Sequence, residues 1–335
     1  MASAEQIKAL FRSHLEGDND RFYSVAMQVA AHEARSGHGN LAKELRDIVD
    51  EAKGKQGLVA PVPITRPSGE LANLLEVSYP KTRLSEMILG KSLNEQINRV
   101  ILEQRHAARI LEYGLSPRRK LLLTGPPGTG KTMTASVLAG ELGLPLLQVR
   151  LDGLITKFMG ETAAKLRQIF DSTSQTRGIY LFDEFDAIGS QRGLANDVGE
   201  IRRVLNSFLA MIEQDDSHSL VLAATNHSGI LDVALFRRFD DVLHYELPEK
   251  TQIEQLLKYR LGSKVAKGIG WKKLAESAVG LSYGDIAQVS NEALKDALIR
   301  KCTEVTESDV EKMINERFNM TRKIEKEEKT GKQNG

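Results

Sequence analysis

The stretch Gly125-Pro126-Pro127-Gly128-Thr129-Gly130-Lys131-Thr132 constrains this chain more than any other, because its chemistry works in only one structural setting. Glycines let consecutive backbone N–H groups converge on phosphate oxygens, and a helix start behind them adds partial positive charge. Both flanks meet that demand. The apolar run Lys120-Leu121-Leu122-Leu123 leads in, and a helical pattern leads out as far as Gly143. In such a loop Lys131 reaches the β and γ phosphates of a nucleotide such as ATP, and the Thr132 hydroxyl ligates Mg²⁺, with Met133 next on the helix.

Four further short apolar runs, Leu146–Val149, Ile179–Phe182, Leu220–Ala223 and Val242–Tyr245, alternate with helical patterns. Continuous apolar strands separated by helices imply a parallel sheet covered on both faces, so the fold class predicted is α/β and doubly wound. From Lys250 to about Met320 only helical periodicity remains, as in Ile253, Leu256, Leu257 and in Ile286, Val289, Ala293. That predicts a helical domain after the sheet.

Upstream, Ser3 and Gln6 read as a capping box for a first amphipathic helix, and two more follow. Pro61, Pro63 and Pro67 then mark a semi-extended connection. Ser92 with Glu95 caps a long helix that the pattern carries to Gly114. The chain therefore divides into a helical module over 1–53, a linker over 54–83, the α/β domain over 84–248, the helical domain over 249–320 and a charged tail over 321–335. Lys plus Arg exceed Asp plus Glu by one, which argues against a general basic field for nucleic acid. Cys302 is the only cysteine, which excludes an intramolecular disulfide and fits a reducing cytoplasm. No basic leader and no apolar run of about 18 residues is present, so neither export nor membrane spanning is expected.

Three constellations bear on the chemistry. Ile179-Tyr180-Leu181-Phe182-Asp183-Glu184 is an apolar strand that ends in two carboxylates. Alone the pair could be a solvated strand end. About fifty residues after a phosphate loop it reads as Asp183 holding the Mg²⁺ shell and Glu184 deprotonating the attacking water. Asn226 ends the strand that begins at Leu220. It could be a turn former, or an amide that holds the water opposite the γ-phosphate, since strand ends are where parallel sheets bind ligands. Arg237 and Arg238 could decorate a helix end or, supplied to a neighbouring subunit, stabilise the transition state.

With GPPGTGKT, LFDEFDAIG, AATN and LDVALFRRFD in this order and spacing, residues 84 to 318 resemble the AAA family of the AAA+ ATPases. The resemblance implies a five-stranded sheet with a helical lid, ATP bound at subunit junctions and a homo-oligomeric ring of six. It also implies that Lys157, Phe158 and Met159 form a pore loop that grips an extended polypeptide, although Phe158 and Met159 could equally be core residues. Ser282-Tyr283-Gly284-Asp285 resembles the lid turn that approaches the nucleotide, with Gly284 near the adenine or ribose; it could also be only a helix cap. Two departures stand out. Arg237 and Arg238 are adjacent where many relatives separate their arginines, and Tyr283 stands where the lid turn often has a small residue, with no arginine there.

The function expected is ATP hydrolysis that remodels or translocates a polypeptide. The alternative is a nucleotide-dependent switch that recruits a partner such as a protease. The helical module ahead of the core resembles that of bacterial AAA ATPases encoded beside subtilisin-like serine proteases, which implies a serine protease partner.

Overall fold

The computed structural model describes residues 19–35, 37–56, 69–154, 159–185, 198–226, 236–302 and 304–331. Its chain separates into two compact units, one drawn from the described residues of Met1–Pro63 and His106–Leu115, the other from Ile64–Arg105 and Ser116–Gly335. In the first unit α1 (Asn19–Arg35) and α2 (Gly39–Gln56) pack through Val29, Ala30, Ala42 and Val49. Gly37, at φ +89, makes the turn between them, and buried Glu33 accepts a 2.7 Å contact from the His38 ring. The helix expected to start at Ser3 lies outside the described residues.

The second unit is built on one sheet, and its elements follow in chain order. A short turn α3 (Leu71–Leu74) leads into β1 (Leu75–Ser78), and α4 (Lys91–Arg105) follows. The pattern that reads as one helix to Gly114 breaks at His106, whose φ −106 and ψ 18 leave the helical region; α5 (Ala107–Glu112) belongs to the first unit. Then come β2 (Lys120–Thr124), α6 (Lys131–Leu142), β3 (Leu146–Val149), α7 (Leu151–Leu154), α8 (Met159–Gln175) and β4 (Ile179–Phe182). The sheet finishes with α9 (Val198–Gln214), β5 (Leu220–Thr225) and β6 (Asp241–His244). Strand order is β1-β3-β4-β5-β2-β6. Every pair is parallel except β1 with β3.

Each residue of β2, β4 and β5 is buried, as a strand covered on both faces requires. Among the described residues the sheet has six strands where five were expected. The extra one, β1, carries only Leu75 and Val77 as apolar residues, alternating with Glu76 and Ser78. A half-covered edge strand of four residues gives no continuous apolar run, so it is hidden in the stretch that composition reads as linker.

Four aromatics lock the centre. Phe182 and Phe185 pack on Phe208 of α9 with ring centroids 4.8 and 4.2 Å apart, and Phe170 of α8 closes the group. Just before β2, Arg119 pairs with buried Asp215, which also accepts from Thr173.

After β6 the chain is helical: α10 (Lys250–Leu261), α11 (Trp271–Ser277), α12 (Tyr283–Ile299) and α13 (Glu307–Gly331). They bury a core of their own around Ile253, Leu257, Ile286, Val289 and Ile314. The α13 backbone continues past Met320 through the charged run to Gly331. Trp271 packs at the edge of this core, with the Lys258 ammonium 5.9 Å from its ring centroid. Among the described residues no helix is long and apolar enough to cross a membrane.

Candidate functional site

The loop between β2 and α6 takes its shape from three glycines in the left-handed region: Gly125 (φ +148), Gly128 (φ +73) and Gly130 (φ +104). Space matters as much as dihedral angle. A Cβ on Gly125 would collide with the Tyr245 carbonyl, and one on Gly128 with Ser282 Oγ. Thr129 Oγ1 donates to Pro126 O at 2.7 Å, which closes the loop on itself. Lys131, almost fully buried, folds its ammonium back onto Gly125 O and Pro126 O at 2.7 and 2.8 Å. The cation is thus held under the loop on exchangeable carbonyl partners.

Neighbouring strands brace the loop from both sides. Gly125 N–H donates to Thr225 O on β5, and Tyr245 N–H donates to Thr124 O. Behind α6, the Tyr245 hydroxyl meets Thr134 Oγ1 at 2.6 Å, and burial pushes that phenol well above its ordinary range. Thr124 Oγ1 also contacts His244 Nδ1 at 2.7 Å.

The carboxylates of β4 arrive at the same place. Thr132 Oγ1 donates to Asp183 Oδ2 at 2.6 Å, and Asp183 Oδ1 accepts from the Glu184 N–H at 2.9 Å. Glu184 has φ +48, a left-handed conformation that costs a non-glycine residue roughly 1–2 kcal/mol. The next residue holds it there: Phe185 N–H donates to Ala224 O at 2.9 Å, and its ring is buried against Phe208. Such strain clusters where a side chain must be aimed.

These groups line a cavity of about 360 Å³. The α/β part lines it with Pro127 to Met133, Asp183, Glu184 and Asn226, the segment before α4 with Glu86 to Leu89, and the helical part with Leu256, Tyr259, Arg260, Tyr283 and Gly284. Gly125 and Pro126 lie at the loop's base and are not part of the lining. The lining thus combines backbone N–H groups and carboxylates with apolar and aromatic surface, the mixture that a nucleotide's phosphates and base call for.

Arg237 and Arg238 are not in this cavity. Arg237 is exposed, and Arg238 Nε lies 3.6 Å from Glu213 Oε2. Lys157 and Phe158 lie outside the described residues; Met159 opens the α8 backbone, with its side chain likewise outside. Sequence reasoning missed Arg260, which lines the cavity from the last turn of α10. Its spacing of four from Leu256 places both on one helix face, but only the folded lid shows that this face meets the loop.

Residues 121–247 match the family described as "ATPase family associated with various cellular activities (AAA)". The chain is 33% identical to the uncharacterized AAA family ATPase y4kL of Sinorhizobium fredii (strain NBRC 101917 / NGR234), over 94% of this chain and 95% of that one. It is also 33% identical to the ATP-dependent zinc metalloprotease FtsH 3 of Sphaerobacter thermophilus, over 73% of this chain and 52% of that protein. For FtsH 1 of Methylacidiphilum infernorum the figures are 34%, 64% and 35%. The chain thus spans about half or less of these metalloproteases and nearly the whole of the Sinorhizobium protein. A glycine-rich loop held between two strand ends, a carboxylate brought to its threonine, and kinship along almost the full length converge: the chain belongs to the AAA family and is an ATPase.

Proposed function

We propose that this chain hydrolyses ATP in the cavity over the β2–α6 loop, at the junction between ring-forming subunits, and uses the resulting movement to remodel or translocate a polypeptide. The observation that carries the reading is the 2.6 Å contact of Thr132 with Asp183 beside a Glu184 held at φ +48. In it, Gly128, Thr129 and Gly130 present N–H groups to the phosphates, and Lys131 leaves the Gly125 and Pro126 carbonyls for them. The Thr132 hydroxyl and the Asp183 carboxylate are a hard-oxygen pair suited to Mg²⁺, which when bound neutralises charge on the β and γ phosphates. Glu184 takes the proton of the attacking water, and Asn226 holds that water in line.

Among the described residues of the α/β part, Lys131 is the one cationic residue that lines the cavity. That supports Arg237 or Arg238 acting on the neighbouring subunit's site, where such an arginine is worth about 10³ to 10⁵ in rate. Residues 84–248 then act as the ATPase domain, 249–320 as its lid, and 1–53 as the module that chooses the substrate. The metalloprotease relatives support a protein substrate. A hexamer in the cytoplasm, passing its substrate to a separate serine protease, completes the reading.

The test is ATP turnover against protein concentration for the wild type, for Glu184→Gln, and for an equimolar mixture of Lys131→Ala with Arg237→Ala/Arg238→Ala. Turnover should rise with assembly, fall by about 10² to 10⁴ in Glu184→Gln, and partly recover in the mixture. Concentration-independent turnover with no recovery would end the shared-site mechanism.

A further inference from the structure

The lid touches the phosphate loop directly. At the start of α12 the Gly284 N–H donates to Gly128 O at 2.9 Å. The approach is close enough that a Cβ on Gly284 would sit 3.4 Å from Gly128 Cα. Gly128 lies mid-loop, and the peptide whose carbonyl the lid holds also carries the N–H of Thr129, which lines the cavity.

The turn that presents Gly284 is itself fixed. Asp285 Oδ2 accepts from the Ser282 N–H at 3.0 Å and from Ser282 Oγ at 2.6 Å. The other carboxylate oxygen, Oδ1, is taken by Arg317 of α13, through Nε at 2.7 Å and Nη2 at 2.6 Å. Both side chains are mostly shielded from solvent. Burial pushes the Asp285 carboxyl up, but the hydrogen bonds from Ser282 and Arg317 outweigh it and hold it below the ordinary range. A continuous chain therefore runs from α13 through Arg317, Asp285, Ser282 and Gly284 to the phosphate loop.

We infer that Asp285 and Arg317 are positioning residues for nucleotide binding: they keep the Gly284 N–H on the Gly128 carbonyl, so that the phosphate loop is already shaped when the nucleotide arrives. The inference rests on the proposal that ATP's phosphates bind in this loop. The physical reason is entropic. A loop with three glycines at positive φ is free to adopt many conformations when nothing holds it, and ordering it on binding would be subtracted from affinity. Linkage makes the effect reciprocal: whatever the latch adds to phosphate affinity, bound phosphate adds to the latch. Any contact that moves α13 then tunes nucleotide affinity from a distance.

The full chain, with Arg317→Met, Arg317→Lys, Arg260→Ala and Lys131→Ala as variants, would be titrated calorimetrically with ADP and with inorganic pyrophosphate. Hydrogen exchange of the Gly284 amide would be followed in parallel. Arg317→Met should weaken both ligands about tenfold, the size of one lost charge-assisted hydrogen bond, and speed Gly284 exchange; Arg317→Lys should recover part of both. Arg260→Ala should weaken ADP alone, since pyrophosphate has no sugar or base to meet the lid. Unchanged pyrophosphate affinity in Arg317→Met, or unchanged Gly284 exchange, overturns the positioning role. If Arg317→Met loses its helical circular dichroism, Arg317→Lys carries the comparison, because it keeps stem and charge but not the two-nitrogen fork. ADP binding that survives Lys131→Ala would instead defeat the reading of the cavity; loss there with no effect at Arg317 defeats the latch alone.

Discussion

Two residues of the site hold backbone conformations that other residue types resist, for opposite reasons. Gly128 is a glycine because its φ of +73 and the adjacent Ser282 hydroxyl leave no place for a Cβ. Gly128→Ala should cost about 1–2 kcal/mol in melting experiments and, by displacing Ser282, lower ATP affinity more than that figure implies. Glu184 keeps a side chain at φ +48, held there by Phe185, whose N–H is bonded to Ala224 O and whose ring is buried. Glu184→Gly should relieve the strain, leaving stability nearly unchanged while turnover collapses; a large loss of melting temperature would contradict this balance. Buried phenols give a pH signature. Tyr180 and Tyr283 are both pushed up to about 12, chiefly by burial, and Tyr245 further. Folded, each phenol keeps its proton where the unfolded chain, with its ordinary value near 10, has lost it. The folded state binds more protons in that window, so stability is intact below about pH 10 and should fall as pH rises toward 12. Ultraviolet titration of phenolate against the melting curve would show Tyr180 and Tyr245, the two buried phenols, ionising only as the chain unfolds.

Among the elements, the turn after β4 depends on packing far below it. Phe185 and Phe182 rest on Phe208, so Phe208→Ala should destabilise by about 3–5 kcal/mol and, in the surviving folded fraction, slow turnover by loosening Glu184. Calorimetric melting with single-turnover rates would separate the two effects. This coupling also shows what the sequence could and could not convey. Leu121–Leu123, Ile179–Phe182 and Leu220–Ala224 announce themselves because burial on both faces demands unbroken apolar runs. The phosphate loop and Asp183–Glu184 are equally legible, since local spacing fixes their chemistry. β1 is not, because an edge strand of Leu75-Glu76-Val77-Ser78 has the look of any mixed loop. Arg260 and Arg317 are invisible for a different reason: each becomes relevant only through the fold of the lid, and helical spacing cannot say which face of α10 or α13 meets the loop.

At the scale of the whole molecule, neither Arg237 nor Arg238 lines the cavity. The ring proposed above accounts for that separation, and Phe158 is the residue that tests what such a ring would do. If Phe158 grips the polypeptide, Phe158→Ala should abolish polypeptide remodelling while leaving ATP turnover within about threefold of wild type, a change outside core features having little effect on stability. Full remodelling after that change would favour a switch over a threading motor, read by unfolding of a fluorescent substrate in the presence of ATP. The molecule also carries its own optical probe. The chain's one tryptophan, Trp271, is in the lid, under Lys258 of the helix whose next residues, Tyr259 and Arg260, face the cavity. Indole emission is therefore blind to the sheet, and any change in its colour or intensity when nucleotide is added records the lid alone, in real time and without a label.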